Sequence, residues 1–79
     1  MSRLLVAFIE TCEDGCFCTQ VVLGEFVGNE CVERVQEGMF LSDPSPAEYE
    51  LLEEDLREIA HHHHLTQSDD DPLRWEREI

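Results

Sequence analysis

The chain has 79 residues, of which 42% are hydrophobic, and this composition predicts one small folded domain and excludes a second hydrophobic core. The 19 acidic residues outnumber the 5 basic ones, which are all arginine, so the formal net charge is -14. Such a charge argues against direct binding to nucleic acid or to an anionic membrane, because both bind proteins through patches of Lys and Arg.

Strand-forming runs joined by turns begin the chain. Residues 4 to 11 and 17 to 27 are rich in β-branched and aromatic residues, and Asp14-Gly15 between them favours a two-residue hairpin loop. Gly28-Asn29 suits a type II′ turn that leads into a third strand over residues 30 to 37. We therefore predict a three-stranded antiparallel meander. The alternative for residues 30 to 37 is a short helix capped by Asn29.

The two hairpin loops determine which side chains share a face of this sheet. With two-residue loops at both turns, one predicted face holds Ala7, Ile9, Cys16, Cys18, Val22, Phe26, Cys31 and Val35. The other face holds Leu4, Val6, Phe8, Phe17, Val21 and Leu23, mixed with charged residues. Apolar residues on both faces of a central strand predict either a helix on each side or a partner chain on one.

The clearest predicted element is a helix that begins at Pro46. Ser45 and Glu48 form a Ser-x-x-Glu capping box around the first turn. The apolar stripe that should cover the sheet repeats at helical spacing and consists of Tyr49, Leu52, Leu56, Ile59 and His63. Residues 38 to 46 are expected to connect β-strand and helix as a loop, with Met39, Phe40 and Leu41 packed down as a lid.

The polar stretch over residues 66 to 71 ends the helix region, and Asp71-Pro72 is expected to start a terminal helical turn. The predicted fold is α+β, with a three-stranded antiparallel β-meander packed against one long amphipathic α-helix. Residues 1–65 are assigned to a single ββ(β)α domain and residues 66–79 to an acidic C-terminal extension with a short helix.

The outward face of the predicted helix is strongly acidic. Six carboxylates occur within eleven residues, namely Glu48, Glu50, Glu53, Glu54, Asp55 and Glu58. They place roughly one charge on every 2.5 to 3 Å of helix axis, compared with one per about 1.7 Å on duplex DNA. Arg57 is expected to pair with Glu53 or Glu54. Alternative explanations for the charge are a solvated helix face and a halophilic origin.

The cysteines and histidines suggest a second kind of site. The spacing of the cysteines lacks the paired C-x2-C motif of structural zinc sites, so we expect Cys16, Cys18 and Cys31 to be small, buried, reduced side chains. The alternative is a zinc site formed by these three cysteines and His62. His62 belongs to a run of four histidines at the predicted C-terminus of the helix.

No Gly-rich phosphate loop, nucleophile with its base or pair of catalytic carboxylates occurs in the sequence, so we expect neither an enzyme nor a cofactor. The apolar run at residues 4 to 9 is too short for a signal-peptide core, and no run approaches a membrane span. We therefore expect a cytoplasmic protein, located in the host cell if it is viral, with no membrane partner.

In size, acidity and lack of catalytic motifs, the whole chain is similar to small phage inhibitors of DNA-handling enzymes, such as anti-restriction proteins, uracil-glycosylase inhibitors and some anti-CRISPR proteins. This resemblance rests on composition and carries over no residue roles. It implies an inhibitor that occludes a basic nucleic-acid-binding host protein by DNA mimicry. The expected partner-binding residues are the six carboxylates of the helix together with Asp69, Asp70 and Asp71. The alternatives are a zinc-stabilised adaptor domain and a homodimer that buries the second face of the sheet.

Overall fold

A computed structural model describes residues 3–12 and 17–79 and shows an α+β fold with one helix and a sheet of five antiparallel strands. The elements are β1 (Arg3–Thr11), β2 (Cys18–Val27), β3 (Glu30–Ser42), α1 (Pro46–His62), β4 (Thr66–Gln67) and β5 (Trp75–Glu78). The order across the sheet is β3-β2-β1-β5-β4, so β1 is central. The meander and the helix are confirmed, whereas the sheet has two more strands than predicted.

The predicted C-terminal helical turn is wrong, because residues 75 to 78 form strand β5. This strand pairs with β1 from Leu4 opposite Glu78 to Ala7 opposite Trp75. Trp75, the first residue of this strand, packs against the core. Pairing with β5 also satisfies the second edge of β1, whose backbone groups would otherwise lack partners.

The β1–β2 hairpin differs from its predicted register. Thr11 lies opposite Thr19, whereas a two-residue loop at Asp14-Gly15 would place it opposite Cys18. The loop itself, including Cys16, lies outside the described residues. A shift of one residue moves side chains between faces of a sheet. Ala7 therefore shares its face with Leu23, and the predicted grouping of Ala7 with Val22 is wrong.

The β2–β3 hairpin confirms the second predicted turn. Val27 lies opposite Glu30 across the loop, and Gly28 has a φ of 63°, as the first central residue of a type II′ turn requires. Residues 30 to 37 are a strand rather than a helix. The strand continues to Ser42, so residues 38 to 42, which were predicted to be part of a loop, belong to β3. Three irregularities of register interrupt its pairing with β2.

Helix α1 covers one face of the sheet, which we call the covered face. The core there consists mainly of α1 residues Leu52, Leu56, Ile59 and Ala60 against strand residues Leu5, Ala7, Val21 and Leu23. The helix lies close to β3 at Gly38, where a Cβ atom would come within 2.9 Å of Ile59 Cδ1. Across the described part of the chain, no helix has both the length and the apolar character needed to cross a membrane.

The opposite face of the sheet, which we call the open face, is apolar at its centre. Val6 and Val22 are fully buried there. The rings of Phe8 and Phe26 meet edge to face with centroids 5.5 Å apart, and the Arg74 guanidinium lies 5.5 Å from the Phe26 ring centroid. No second helix covers this face among residues 3–12 and 17–79, so its own aromatic side chains provide much of the cover.

Candidate functional site

Three glutamates of α1 point away from the sheet. Leu52, Leu56 and Ile59 fix the orientation of the helix, because their burial turns the opposite side outward. On that side Glu50, Glu54 and Glu58 are exposed and follow one another at intervals of four residues. Neighbours at this spacing lie about 6 Å apart. They form a row of carboxylates that extends roughly 12 Å along the helix axis and turns by about 40° around it at each step.

Two other carboxylates of α1 have local structural partners. Glu48 accepts a hydrogen bond from the backbone N–H of Ser45 at 3.1 Å, while the Ser45 hydroxyl accepts one from the Glu48 N–H, which completes the predicted capping box. The backbone hydrogen bond from Ser45 lowers the pKa of Glu48. Asp55 Oδ2 accepts a hydrogen bond of 2.8 Å from the backbone N–H of Met39 and so connects the helix to β3. The hydrogen bonds that Glu48 accepts favour its ionised form, so capping the helix does not remove its negative charge.

Glu53 lies nearer to the C-terminal loop than the outward row does. It lines a groove with Arg57, Gln67, Pro72 and Trp75. The pKa of the adjacent Tyr49 is raised, first by burial and then by the charges of Glu53 and Asp71. The charge of Asp71 therefore reaches the first half of α1.

Asp69, Asp70 and Asp71 lie in the loop between β4 and β5, and they are exposed. Asp71 shapes this loop, because its Oδ1 accepts a hydrogen bond from the Leu73 N–H and its backbone oxygen accepts one from the Arg74 N–H, both at 3.0 Å. The Asp70 N–H donates to the Ser68 hydroxyl at 3.3 Å. The loop thus adds three carboxylates to the C-terminal side of the molecule.

Three of the five arginines form salt bridges within the described residues, and each pairs with a carboxylate of the sheet rather than of α1. Within the described residues, 3–12 and 17–79, the salt bridges are Arg3–Glu25 (3.4 Å), Arg34–Glu10 (2.8 Å), Arg34–Glu37 (3.4 Å) and Arg74–Glu76 (2.9 Å). The hydrogen bond from Arg34 to Glu10 is the main reason that the pKa of Arg34 is raised. No carboxylate of α1 takes part in these bridges, and the predicted pairing of Arg57 with Glu53 or Glu54 is absent from them.

The residues of the predicted zinc site are not brought together. Cys18 lies opposite Ser42 and Cys31 opposite Phe26, and eight residues of extended strand separate these positions by roughly 26 Å. Cys18 is half-buried and Cys31 is exposed, so the expectation of buried thiols is wrong for Cys31. Cys16 lies outside the described residues. His62 lies on α1, and within the described ranges no group of three or more His, Cys, Asp or Glu could hold a metal.

An exposed apolar surface on β3 was missed by sequence reasoning. Met39 is 36% exposed and Phe40 55% exposed, so the predicted lid is wrong for both residues, and only Leu41 packs partly against the core. Val35, predicted to face the core, is 48% exposed. The irregular alternation of apolar and charged residues over residues 30 to 37 was the available signal for an exposed edge strand.

No protein-family model, curated protein or solved structure matches the chain.

Proposed function

We propose that the chain is a small acidic inhibitor that occupies the basic nucleic-acid-binding surface of a host protein by DNA mimicry, as phage anti-CRISPR and anti-restriction proteins do. The observation that carries this proposal is the row formed by Glu50, Glu54 and Glu58. These three carboxylates are exposed, evenly spaced, and outside every salt bridge that joins the described residues.

A rigid helix suits this purpose, because it holds the charges at fixed positions before the partner arrives. A preorganised anionic surface accelerates encounter with a cationic one and excludes partners of like charge. The row has a cost for the free protein, since each like-charged pair at i and i+4 destabilises the helix by about 0.2 to 0.5 kcal/mol. Arginine is available in this sequence, yet four of the five arginines lie on the strands or beside them.

The remaining predicted contact residues extend the row to either side. Glu53 and the loop carboxylates Asp69, Asp70 and Asp71 lie on the side of β5, whereas Glu48 caps the helix and Asp55 accepts a hydrogen bond from β3. On this proposal the partner contacts α1 along its length, and the acidic loop contacts the rim of the basic surface.

The proposal is tested by adding the protein to three reactions: duplex cleavage by a type II restriction endonuclease, uracil excision by uracil-DNA glycosylase, and target cleavage by a Cas9–guide RNA complex. We expect stoichiometric inhibition of at least one enzyme, competition with its DNA, and a steep loss of inhibition with added salt. Inhibition of none of the three would overturn the proposal as stated.

A charge-matched pair of variants assigns the inhibition to α1. Replacing Glu50, Glu54 and Glu58 by Gln together should weaken inhibition by roughly tenfold or more, because the association rate falls with the local field. The control compares two double variants that remove the same charge: Glu50→Gln with Glu54→Gln on α1, and Glu78→Gln with Asp43→Asn at exposed positions outside α1 and outside the described salt bridges. Equal loss in both variants would show that net charge, and not the row on α1, causes inhibition.

A further inference from the structure

Exposed apolar side chains are concentrated on strand β3. Seven large hydrophobic residues are exposed among those described, and four of them lie on this strand: Val32 (46%), Val35 (48%), Met39 (36%) and Phe40 (55%). We call these four residues the β3 patch. Single exposed apolar residues are ordinary, whereas several on one element mark a contact surface.

The strand carries the patch at the edge of the sheet. β3 pairs only with β2, and its other edge has no strand neighbour among the described elements. The three register irregularities place extra residues in β3 around Val32, Val35 and Gly38-Met39. Bulges of this kind disturb the regular spacing of backbone N–H and C=O groups and so disfavour the addition of another strand. The patch is therefore suited to contacts through side chains.

The charges around the patch indicate the chemistry of its partner. Glu30 and Glu33 on the same strand are exposed, and neither takes part in a salt bridge within the described ranges. A second copy of the chain would bring another net charge of -14 to this surface. Repulsion between like charges disfavours that arrangement, whereas a cationic protein surface complements it.

The patch is also continuous with α1. The hydrogen bond of 2.8 Å from the Met39 N–H to Asp55 Oδ2 holds the strand beside the helix. Leu51, which is 47% exposed, precedes Asp55 by one helical turn and so lies on the same side of α1. Leu51 and the part of the patch at Met39 therefore border the carboxylates of α1, whereas Phe40, opposite Gln20, lies at the margin of the open face.

We infer that the β3 patch is the apolar part of the interface with the cationic protein proposed above, which presents apolar side chains beside its Lys and Arg residues. The inference rests on the proposed function and assigns a separate kinetic role to each of the two surfaces. The carboxylates of α1 set the rate of encounter, and the β3 patch sets the lifetime of the complex, because apolar contacts at the centre of an interface mainly control dissociation.

The experiment uses the enzyme from the three reactions above that the unaltered chain inhibits most strongly, immobilised for kinetic binding measurements. The variant carries Val35→Thr and Phe40→Thr, since threonine keeps the preference for strand structure. We expect its dissociation rate to rise by roughly tenfold or more while its association rate and salt dependence stay unchanged. Ile79→Thr is the matched control, because Ile79 is 60% exposed and lies outside β3.

The outcomes separate the two proposals. Unchanged dissociation of the Val35→Thr, Phe40→Thr variant from an enzyme that the chain inhibits would overturn the inference and leave the proposed function in place. If the unaltered chain bound none of the three enzymes, both the inference and the proposed function would be overturned. Sedimentation of the chain alone supplies a further check: a dimer that dissociates in this variant would assign the patch to a second copy and overturn the inference. Far-UV circular dichroism and a thermal melt confirm that each variant is folded.

Discussion

The two faces of the sheet are buried in different ways. On the covered face, α1 supplies a second layer, and Leu52, Leu56 and Ile59 lie against the strands. On the open face, Val6 and Val22 are equally buried, although no second layer lies above them among the described residues. Phe8, which is opposite Val22, packs edge to face on Phe26 at this face of the sheet, and the Arg74 guanidinium lies 5.5 Å from the Phe26 ring centroid.

The charged residues follow the same division. On the open face, Arg34 joins Glu10 and Glu37, so carboxylates there are neutralised within the sheet. On the outward side of α1, Glu50, Glu54 and Glu58 take part in none of the described salt bridges. The acidity of the protein is therefore unevenly compensated. Glu30, Glu33 and Glu78 are also outside these salt bridges, but they lie on two different strands. Three such carboxylates in one regular row occur on α1, and for this reason α1 and not the sheet is proposed as the mimic of DNA.

The largest expected effect comes from removing the cover of the open face. We expect Phe26→Ala to lower the free energy of unfolding by about 3 kcal/mol, since it removes a buried ring and exposes the side chains beneath it. Leu52→Ala on the covered face should cost a similar amount, about 3 kcal/mol. Urea denaturation of both variants measures the two costs.

Comparing the stability lost in Phe26→Ala with that lost in Leu52→Ala shows whether the two faces contribute equally to stability. A cost below about 1 kcal/mol for Phe26→Ala, with the expected cost for Leu52→Ala, would contradict the role given to the aromatic pair. It would then follow that Val6 and Val22 are shielded by another group. The matched control is Ile79→Ala, an exposed apolar truncation outside both faces.

The helix that forms the second layer of the covered face was largely predictable from the sequence, because helix signals are local. Ser45 and Glu48 define the first turn within four residues, and the spacing of Leu52, Leu56 and Ile59 defines the buried side. The outward position of Glu50, Glu54 and Glu58 follows from the same periodicity. The absence of salt bridges to them does not, because it depends on where distant arginines lie in space.

The sheet was less predictable because its arrangement depends on register and on partners far apart in sequence. The predicted register of β1 with β2 assumed a two-residue loop at Asp14-Gly15, and its error of one residue exchanged the faces of several side chains. Strand β5 forms because β1 offers it an edge, which no local pattern in residues 75 to 78 reveals. The exposure of Met39 and Phe40 likewise follows from the edge position of β3.

Removing one carboxylate from the sheet and one from α1 should change the free energy of unfolding by smaller amounts and in opposite directions. Glu10→Gln should destabilise the fold by about 0.5 kcal/mol, because it weakens an exposed salt bridge to Arg34. Glu54→Gln should stabilise it by a few tenths of a kcal/mol, because it relieves repulsion from Glu50 and Glu58. Thermal and urea unfolding at low and high salt measure both effects, and salt should reduce each of them.

The sign of the second effect is the decisive result. If Glu54→Gln destabilised the protein as much as Glu10→Gln, the Glu54 carboxylate would have a stabilising partner in the folded state. The row on α1 would then be neutralised like the carboxylates of the sheet, and the contrast between the two regions would be lost. Glu78→Gln serves as a neutral reference, because Glu78 is exposed and takes part in none of the described salt bridges.

The smallest effect concerns His63, at the margin of the covered face. Its ring Nε2 lies 3.3 Å from Gln36 Oε1 on β3, and its backbone oxygen accepts a hydrogen bond from Arg77 Nε. Burial, and then the nearby charges of His62, Arg77 and His64, lower the pKa of His63. The folded protein therefore binds a proton less readily than the unfolded chain does.

This difference gives the pH dependence a definite sign. As the pH falls below the ordinary histidine value of about 6.5, the unfolded chain gains protons at this position and stability is lost, until the pH reaches the lower pKa of the folded state. Asp55, Glu58 and His62 line the same groove between α1 and β3 and are present in both the unaltered chain and the His63→Gln variant. Subtracting the stability of His63→Gln from that of the unaltered chain at each pH therefore isolates His63. This difference in unfolding free energy should decline toward acid pH. If it grew instead, the carboxylates of the groove would stabilise the His63 imidazolium. The negative field of α1 would then act on the sheet as well as on a partner.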